Sequence, residues 1–169
     1  MTTITTGSVR VFTFKTGVLS RLAHDLRLTL GRFEVSWEGG VVRGRFWTSS
    51  LSVDGAVIRG AVRESTPSAS DKRKIHGNIT QKILDTARFP EVTFEGELVG
   101  DQLRGGLTMC GRTQRISIAV AEESGRFSGS VELTPTLWGI PPFKAIGGAI
   151  KLQDRVRVEF DLPASGAGT

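Results

Sequence analysis

The sequence predicts an all-β protein, a single antiparallel β-barrel of about eight strands with one helix inserted near residues 69–84. Three observations carry this. Apolar residues recur with period two through most of the chain, as strands with one dry face require. Short turn signals separate these runs, and the period switches to that of a helix only once, in the middle. No run alternates strand with helix, which excludes a doubly wound parallel sheet. Every strand has one apolar and one polar face, an arrangement that a sheet closed on itself satisfies most simply.

The first clear alternation sets Leu26, Leu28 and Leu30 against Arg27 and Thr29. It is followed by Phe33, Val35 and Trp37 against Glu34, Ser36 and Glu38. Gly31-Arg32 between them reads as a two-residue hairpin turn. The alternation returns at Val42, Gly44, Phe46 and at Leu51, Val53. After a Ser/Thr/Pro-rich stretch, Ser68 and Asp71 have the spacing of a capping box, and Ile75, Ile79 and Ile83 then recur every four residues until Asp85 and Pro90 end the segment. Gly77 costs this helix about 1 kcal/mol relative to alanine. Its apolar stripe is expected to cap or flank the sheet.

Period two resumes at Val92, Phe94 and Leu98, then at Leu103 to Leu107, at Ile116, Ile118 and Val120, at Phe127, Val131 and Leu133, and at Val156, Val158, Phe160 and Leu162. Gly100-Asp101, Gly111 and Ser124-Gly125 punctuate these strands at the short spacing of hairpins. Residues 1–169 contain no repeat and no internal boundary, so they read as one domain with a disordered tail over about residues 164–169. Gly44, Gly96 and Gly129 fall on the apolar phase of their strands, where a filled core would want a large side chain. Two readings stand: the missing side chains leave a lumen, or the glycines permit bends and bulges.

Composition narrows the function classes. A chain of 169 residues can bury one sizeable core without a covalent staple. Its 22 basic and 17 acidic residues give a net charge of +5, but the excess is spread along the chain. Lys72-Arg73-Lys74 is the only run of consecutive basic residues, and tyrosine is absent. No nucleic-acid partner is therefore expected. Cys110 is the only cysteine, so no internal disulfide or cysteine-based zinc site can form, and the residue reads as core packing. His24 and His76 are the only histidines, and His24-Asp25, as strand neighbours, would point to opposite faces. No metal, cofactor or catalytic residue is expected, and no serine has the surroundings of a nucleophile elbow.

The remaining features have bland readings beside functional ones. Asp85-Thr86 reads as a turn or helix C-terminal cap, and Gly147-Gly148 as a barrel corner. Trp138-Gly139-Ile140-Pro141-Pro142 is either core packing or the rim of a pocket. Lys72, Arg73 and Lys74 oppose the helix dipole near its start and form either a solvated face or a contact for an anionic membrane surface. The first residues show no basic segment followed by an apolar one. The longest uncharged stretch, Leu133 to Phe143, is 11 residues long and broken by three prolines. The expected location is the cytoplasm.

Four stretches, taken together, carry a likeness: Leu84-Asp85-Thr86-Ala87-Arg88-Phe89-Pro90-Glu91-Val92-Thr93-Phe94, Gly106-Leu107-Thr108-Met109-Cys110-Gly111-Arg112-Thr113, Trp138-Gly139-Ile140 and Gly147-Gly148. In order and spacing the chain resembles the YceI-like family of lipocalin-like, polyisoprenoid-binding proteins. Gly17-Val18-Leu19-Ser20 and His24-Asp25 resemble the family's opening. Two departures are visible: typical members carry a secretory signal, and their usual Phe-Asp at the end of the helical segment is Leu84-Asp85 here. The resemblance implies an elongated barrel whose apolar tunnel holds an isoprenoid chain such as a polyprenyl lipid or quinone tail, without catalysis. The residues expected to face that ligand are Leu26, Leu28, Phe33, Val35, Phe94, Leu107, Ile118, Phe127, Gly129, Val131, Trp138, Val158 and Phe160. The alternatives are an enzyme or haem-type binder with His24 in the lumen, and a filled barrel acting as an interaction module. A homodimer is left open.

Overall fold

Thirteen antiparallel strands and one helix make up the computed structural model, which describes residues 1–16, 24–145 and 150–165. The strands are β1 (Thr2–Ile4), β2 (Ser8–Lys15), β3 (Asp25–Leu30), β4 (Phe33–Glu38), β5 (Val41–Trp47), β6 (Leu51–Ile58), β7 (Ala61–Arg63), β8 (Glu91–Val99), β9 (Gln102–Met109), β10 (Arg112–Glu123), β11 (Arg126–Leu133), β12 (Lys144–Ala145) and β13 (Ile150–Pro163). The all-β barrel class is as expected. The strand number is larger than eight, for a physical reason. The register of β1 on β4 continues that of β2 on β3 without a shift, so β1 and β2 behave as one bent strand, as do β3 with β4 and β5 with β6. Counted that way, the ladder runs through eight segments and returns from β13 to β2. The short strands β7 and β12 are additions at its margin.

Each bend has a local cause. Between β1 and β2, Gly7 adopts a φ of +111°, and a Cβ there would stand 2.5 Å from the Asp161 carbonyl oxygen, so only glycine lets the two segments pass. Gly31-Arg32 is not a hairpin turn, because β3 and β4 do not pair with each other. It is a corner, held against a facing corner at Thr48–Ser50: the Gly31 N–H donates to the Ser50 carbonyl (3.0 Å), the Trp47 N–H to the Arg32 carbonyl (3.1 Å) and the Arg32 N–H to Ser50 Oγ (2.9 Å). A two-residue glycine-containing link supports either outcome, and the partner strands decide. The true two-residue turns include Cys110-Gly111 and Ser124-Gly125. Both residues of each have positive φ, the geometry that matches the twist of flanking strands.

Strands β1 and β2 escape the period-two signal because β2 carries large apolar side chains on both faces. Val9 and Val11 point inward, while Phe12 and Phe14 lie on the outside under the guanidinium groups of Arg157 (4.6 Å) and Arg155 (3.9 Å). The expected helix is present as α1 (Ala69–Gly77), followed directly by a π-helical turn over Asn78–Ile83. Ser68 Oγ accepts from the Asp71 N–H at 3.2 Å, as the capping spacing predicts. Asp85, with φ of +46°, turns the chain out, its carbonyl accepting from the Arg88 and Phe89 N–H groups at 3.0 and 2.8 Å. Gly17-Val18-Leu19-Ser20 and Gly147-Gly148 lie outside the described residues, as does the tail beyond residue 165.

The core is divided. One buried cluster gathers Ile4, Val9, Leu26, Leu28, Leu30, Phe33, Leu51, Ala56 and Leu162, and the other Phe94, Leu107, Leu133, Trp138 and Ile140. Phe46, Leu84 and Val158, each only partly buried, pack against both. A filled barrel would have one contiguous core; here the two halves face each other across a space.

Candidate ligand cavity

That space is a cavity of about 340 Å³ within the barrel. Its wall is contributed by all eight segments of the ladder, each through the inward half of its alternation, as in Val11 and Leu28, Val42 and Phe94, Leu107 and Ile118, and Val131 and Val158. The helical segment closes one side with Ile75, Ile79 and Ile83, the stripe that recurs every four residues, joined by Leu84. The connection before β12 adds Ile140, Pro141, Pro142 and Phe143. Burying apolar surface against such a wall stabilises a complex by about 25 cal/mol per Å².

Of the residues expected at the ligand, Leu26, Leu28, Val35, Phe94, Leu107, Ile118, Val131, Val158 and Phe160 line this cavity. Four do not. Phe33 is buried in the first cluster, and Trp138 is 2% exposed in the second, its indole N–H donating to the Leu107 carbonyl at 2.9 Å. Phe127 sits against Trp37 at a barrel end. Gly129 lies on the inner phase, but the Phe160 ring covers it.

The inner-face glycines have a role that neither sequence reading contains. A Cβ would stand 2.7 Å from the Phe46 ring at Gly44, 2.7 Å from the Phe94 ring at Gly96 and 2.5 Å from the Phe160 ring at Gly129. Each glycine leaves a recess in the wall into which a neighbouring phenylalanine ring is drawn. All three phenylalanines line the cavity, so the recesses hold their bulk back from the lumen. At Gly96 a Cβ would also meet the Arg104 carbonyl oxygen of β9 at 2.3 Å, so that position serves close strand approach too.

Polar side chains are few along the wall. Thr48 Oγ1 reaches the Pro90 carbonyl at 3.5 Å, and Gln153 Nε2 donates to the Lys15 carbonyl at 2.9 Å. Arg155 sends its guanidinium outward, over Phe14 and to Glu132 at 3.4 Å. Thr13 Oγ1 is buried with no partner in the protein. His24, the polar group that a haem-type reading would place in the lumen, is not among the residues that line the cavity. Trp138-Gly139-Ile140-Pro141-Pro142 turns out to be both things at once, Trp138 packing and the next apolar residues forming the wall. Cys110 lies in a turn, half-buried and packed against the second core cluster, with its thiol 3.6 Å from the Leu84 carbonyl; burial first, and then the charge of Asp85, push that thiol up from its ordinary range. Among the described residues no cluster of His, Cys, Asp or Glu has the makings of a metal site, and no helix is long and apolar enough to cross a membrane.

Comparison with known proteins agrees with this architecture. The model of the YceI-like domain family matches residues 29–164. No curated protein sequence matches significantly. Among solved structures, a polyisoprenoid-binding domain from Saccharophagus degradans implicated in plant cell wall breakdown superposes with a TM-score of 0.63 at 10% identity, covering 96% of this chain and 97% of that one. BcnA of Burkholderia cenocepacia superposes with a TM-score of 0.60 at 13% identity, covering 92% and 94%.

Proposed function

The chain belongs to the YceI-like domain family, and from that premise we propose that it binds an isoprenoid lipid, a polyprenyl or quinone-type chain, inside the barrel and carries or stores it without chemical change. The observation that supports this reading is the apolar cavity of about 340 Å³, walled by every segment of the ladder and by the three isoleucines of the helical segment. A space of this kind, offered almost no polar partner, selects ligands by apolar area and shape. The S. degradans neighbour is described as polyisoprenoid-binding, which points the same way. The single thiol of Cys110 suits a carrier that works in the cytoplasm.

Loading takes place, on this reading, from an anionic membrane surface. Lys72, Arg73 and Lys74 lie on the helix whose Ile75 lines the cavity, and Arg73 and Lys74 are exposed. The helical segment over residues 69–83, which covers the lumen, holds four basic side chains and one acidic one. Each such cation contributes about 1 kcal/mol near an anionic leaflet. The direct test is mass spectrometry of an organic extract from protein purified without detergent. The expected result is a discrete set of isoprenoid masses. Recovery of ligand-free protein that also fails to take up added prenols would overturn the carrier reading.

A further inference from the structure

We propose that Trp37 and Phe127 form the floor of the cavity and set the longest isoprenoid chain it accepts, a specificity role that rests on the carrier reading. Phe127 is the second residue of β11 and Trp37 the last but one of β4, so both stand at the barrel end marked by the Gly39-Gly40 and Ser124-Gly125 turns. Along the closed ladder their strands are not neighbours: β5, β8, β9 and β10 lie between them on one side, and β13 and the β1–β2 segment on the other. Their rings nevertheless meet edge to face, 5.8 Å between centroids at 89°. Both residues lie on the inward phase of their strands, Trp37 with Val35 and Phe127 with Val131, so the rings approach each other on the inner side of the barrel. The contact therefore lies inside the barrel.

Their neighbours in the alternation show where the cavity stops. Val35, two residues before Trp37, lines it, as does Leu162, the cross-strand partner of Phe127, whereas Trp37 and Phe127 do not. Leu162 stands in the same layer as Phe127, so the ring pair borders the open space at this end. Edge-to-face aromatic pairs resist displacement better than aliphatic contacts of equal area, which suits a fixed stop. A chain growing toward this end gains buried surface with each unit until it meets the rings. Further units must stay outside, where they add nothing.

The experiment is a titration of wild-type and Phe127→Ala protein with a series of all-trans prenols, from geraniol through farnesol and geranylgeraniol to longer homologues, in detergent-free buffer. In the wild type, affinity rises about tenfold per added five-carbon unit, at the ligand efficiency usual for larger ligands, and then levels. In Phe127→Ala the levelling comes at least one unit later, while the shorter prenols bind as before. Phe127→Leu, which keeps most of the apolar volume, serves where the alanine variant does not fold, and levels later than wild type by a smaller step. A wild-type series that never levels, or levelling at the same length in every folded variant, would overturn the floor while leaving the carrier reading intact. Absence of binding at every length overturns both.

Discussion

The ring of Phe160 on β13 occupies the space above Gly129 on β11, its Cζ 2.5 Å from where a Cβ on that glycine would stand. The two residues are directly opposed across the ladder, so the absence of one side chain positions the other. A larger residue at Gly129 has to push the ring toward the lumen, and a new Cβ also approaches the Ala119 carbonyl oxygen to 2.9 Å, a backbone atom that cannot swing away.

Gly129→Ala is therefore expected to lower stability by about 1–3 kcal/mol, as overpacking of a core does, and to weaken binding of a long apolar chain as the displaced ring takes up ligand space. Adding Phe160→Leu to the same variant should restore part of both. Thermal unfolding with titration of a fluorescent apolar probe measures the two effects together. Unchanged melting and unchanged binding in Gly129→Ala would show that the recess is not needed.

The basic run on the helix makes a kinetic prediction. Replacing Lys72, Arg73 and Lys74 by glutamine should leave equilibrium affinity for an apolar probe nearly unchanged but slow loading from anionic vesicles. Coulombic steering acts on approach and is screened over about 10 Å at 0.1 M salt. The difference should shrink as salt rises and be absent with neutral vesicles. Equal loading rates at low salt would remove the membrane contact.

A third prediction concerns Glu91. Its carboxylate accepts two hydrogen bonds from Arg45, at 2.8 and 3.1 Å, and these hold it below the usual carboxylate range. A group whose pKa is lowered by folding adds stability above its unfolded pKa and loses that contribution as pH falls through its folded one. The pair is partly exposed, Arg45 more than Glu91, and solvent screens it, so the effect is small. Glu91→Gln should melt slightly below wild type at neutral pH, and the two curves of melting temperature against pH should converge in acid. A gap that stays constant into strong acid would mean that the ion pair is not its source.

By itself, the order of residues determined the strand phases and the helix. Leu28, Val35, Phe94, Ile118, Val131 and Val158 each lie on the apolar side of a clean alternation and line the cavity, because side-chain direction in a strand depends only on local geometry. Ser68, Asp71 and the isoleucines at every fourth position fixed the start and the inward stripe of the helix for the same reason. What only the tertiary structure decided involves residues remote in sequence. Gly31-Arg32 became a corner because β3 and β4 found different partners. Phe12 and Phe14 take the outer face, in alternation with the inward Val9 and Val11, and are covered there by Arg157 and Arg155 from β13. The recess that Gly129 leaves for Phe160, and the Trp37–Phe127 contact that ends the lumen, exist only once remote strands come together, whereas Gly44 with Phe46 and Gly96 with Phe94 are pairs two residues apart on one strand. Period reports which face a side chain takes, while the depth of a cavity depends on which side chains meet across it, and that is set by register and closure rather than by any local pattern.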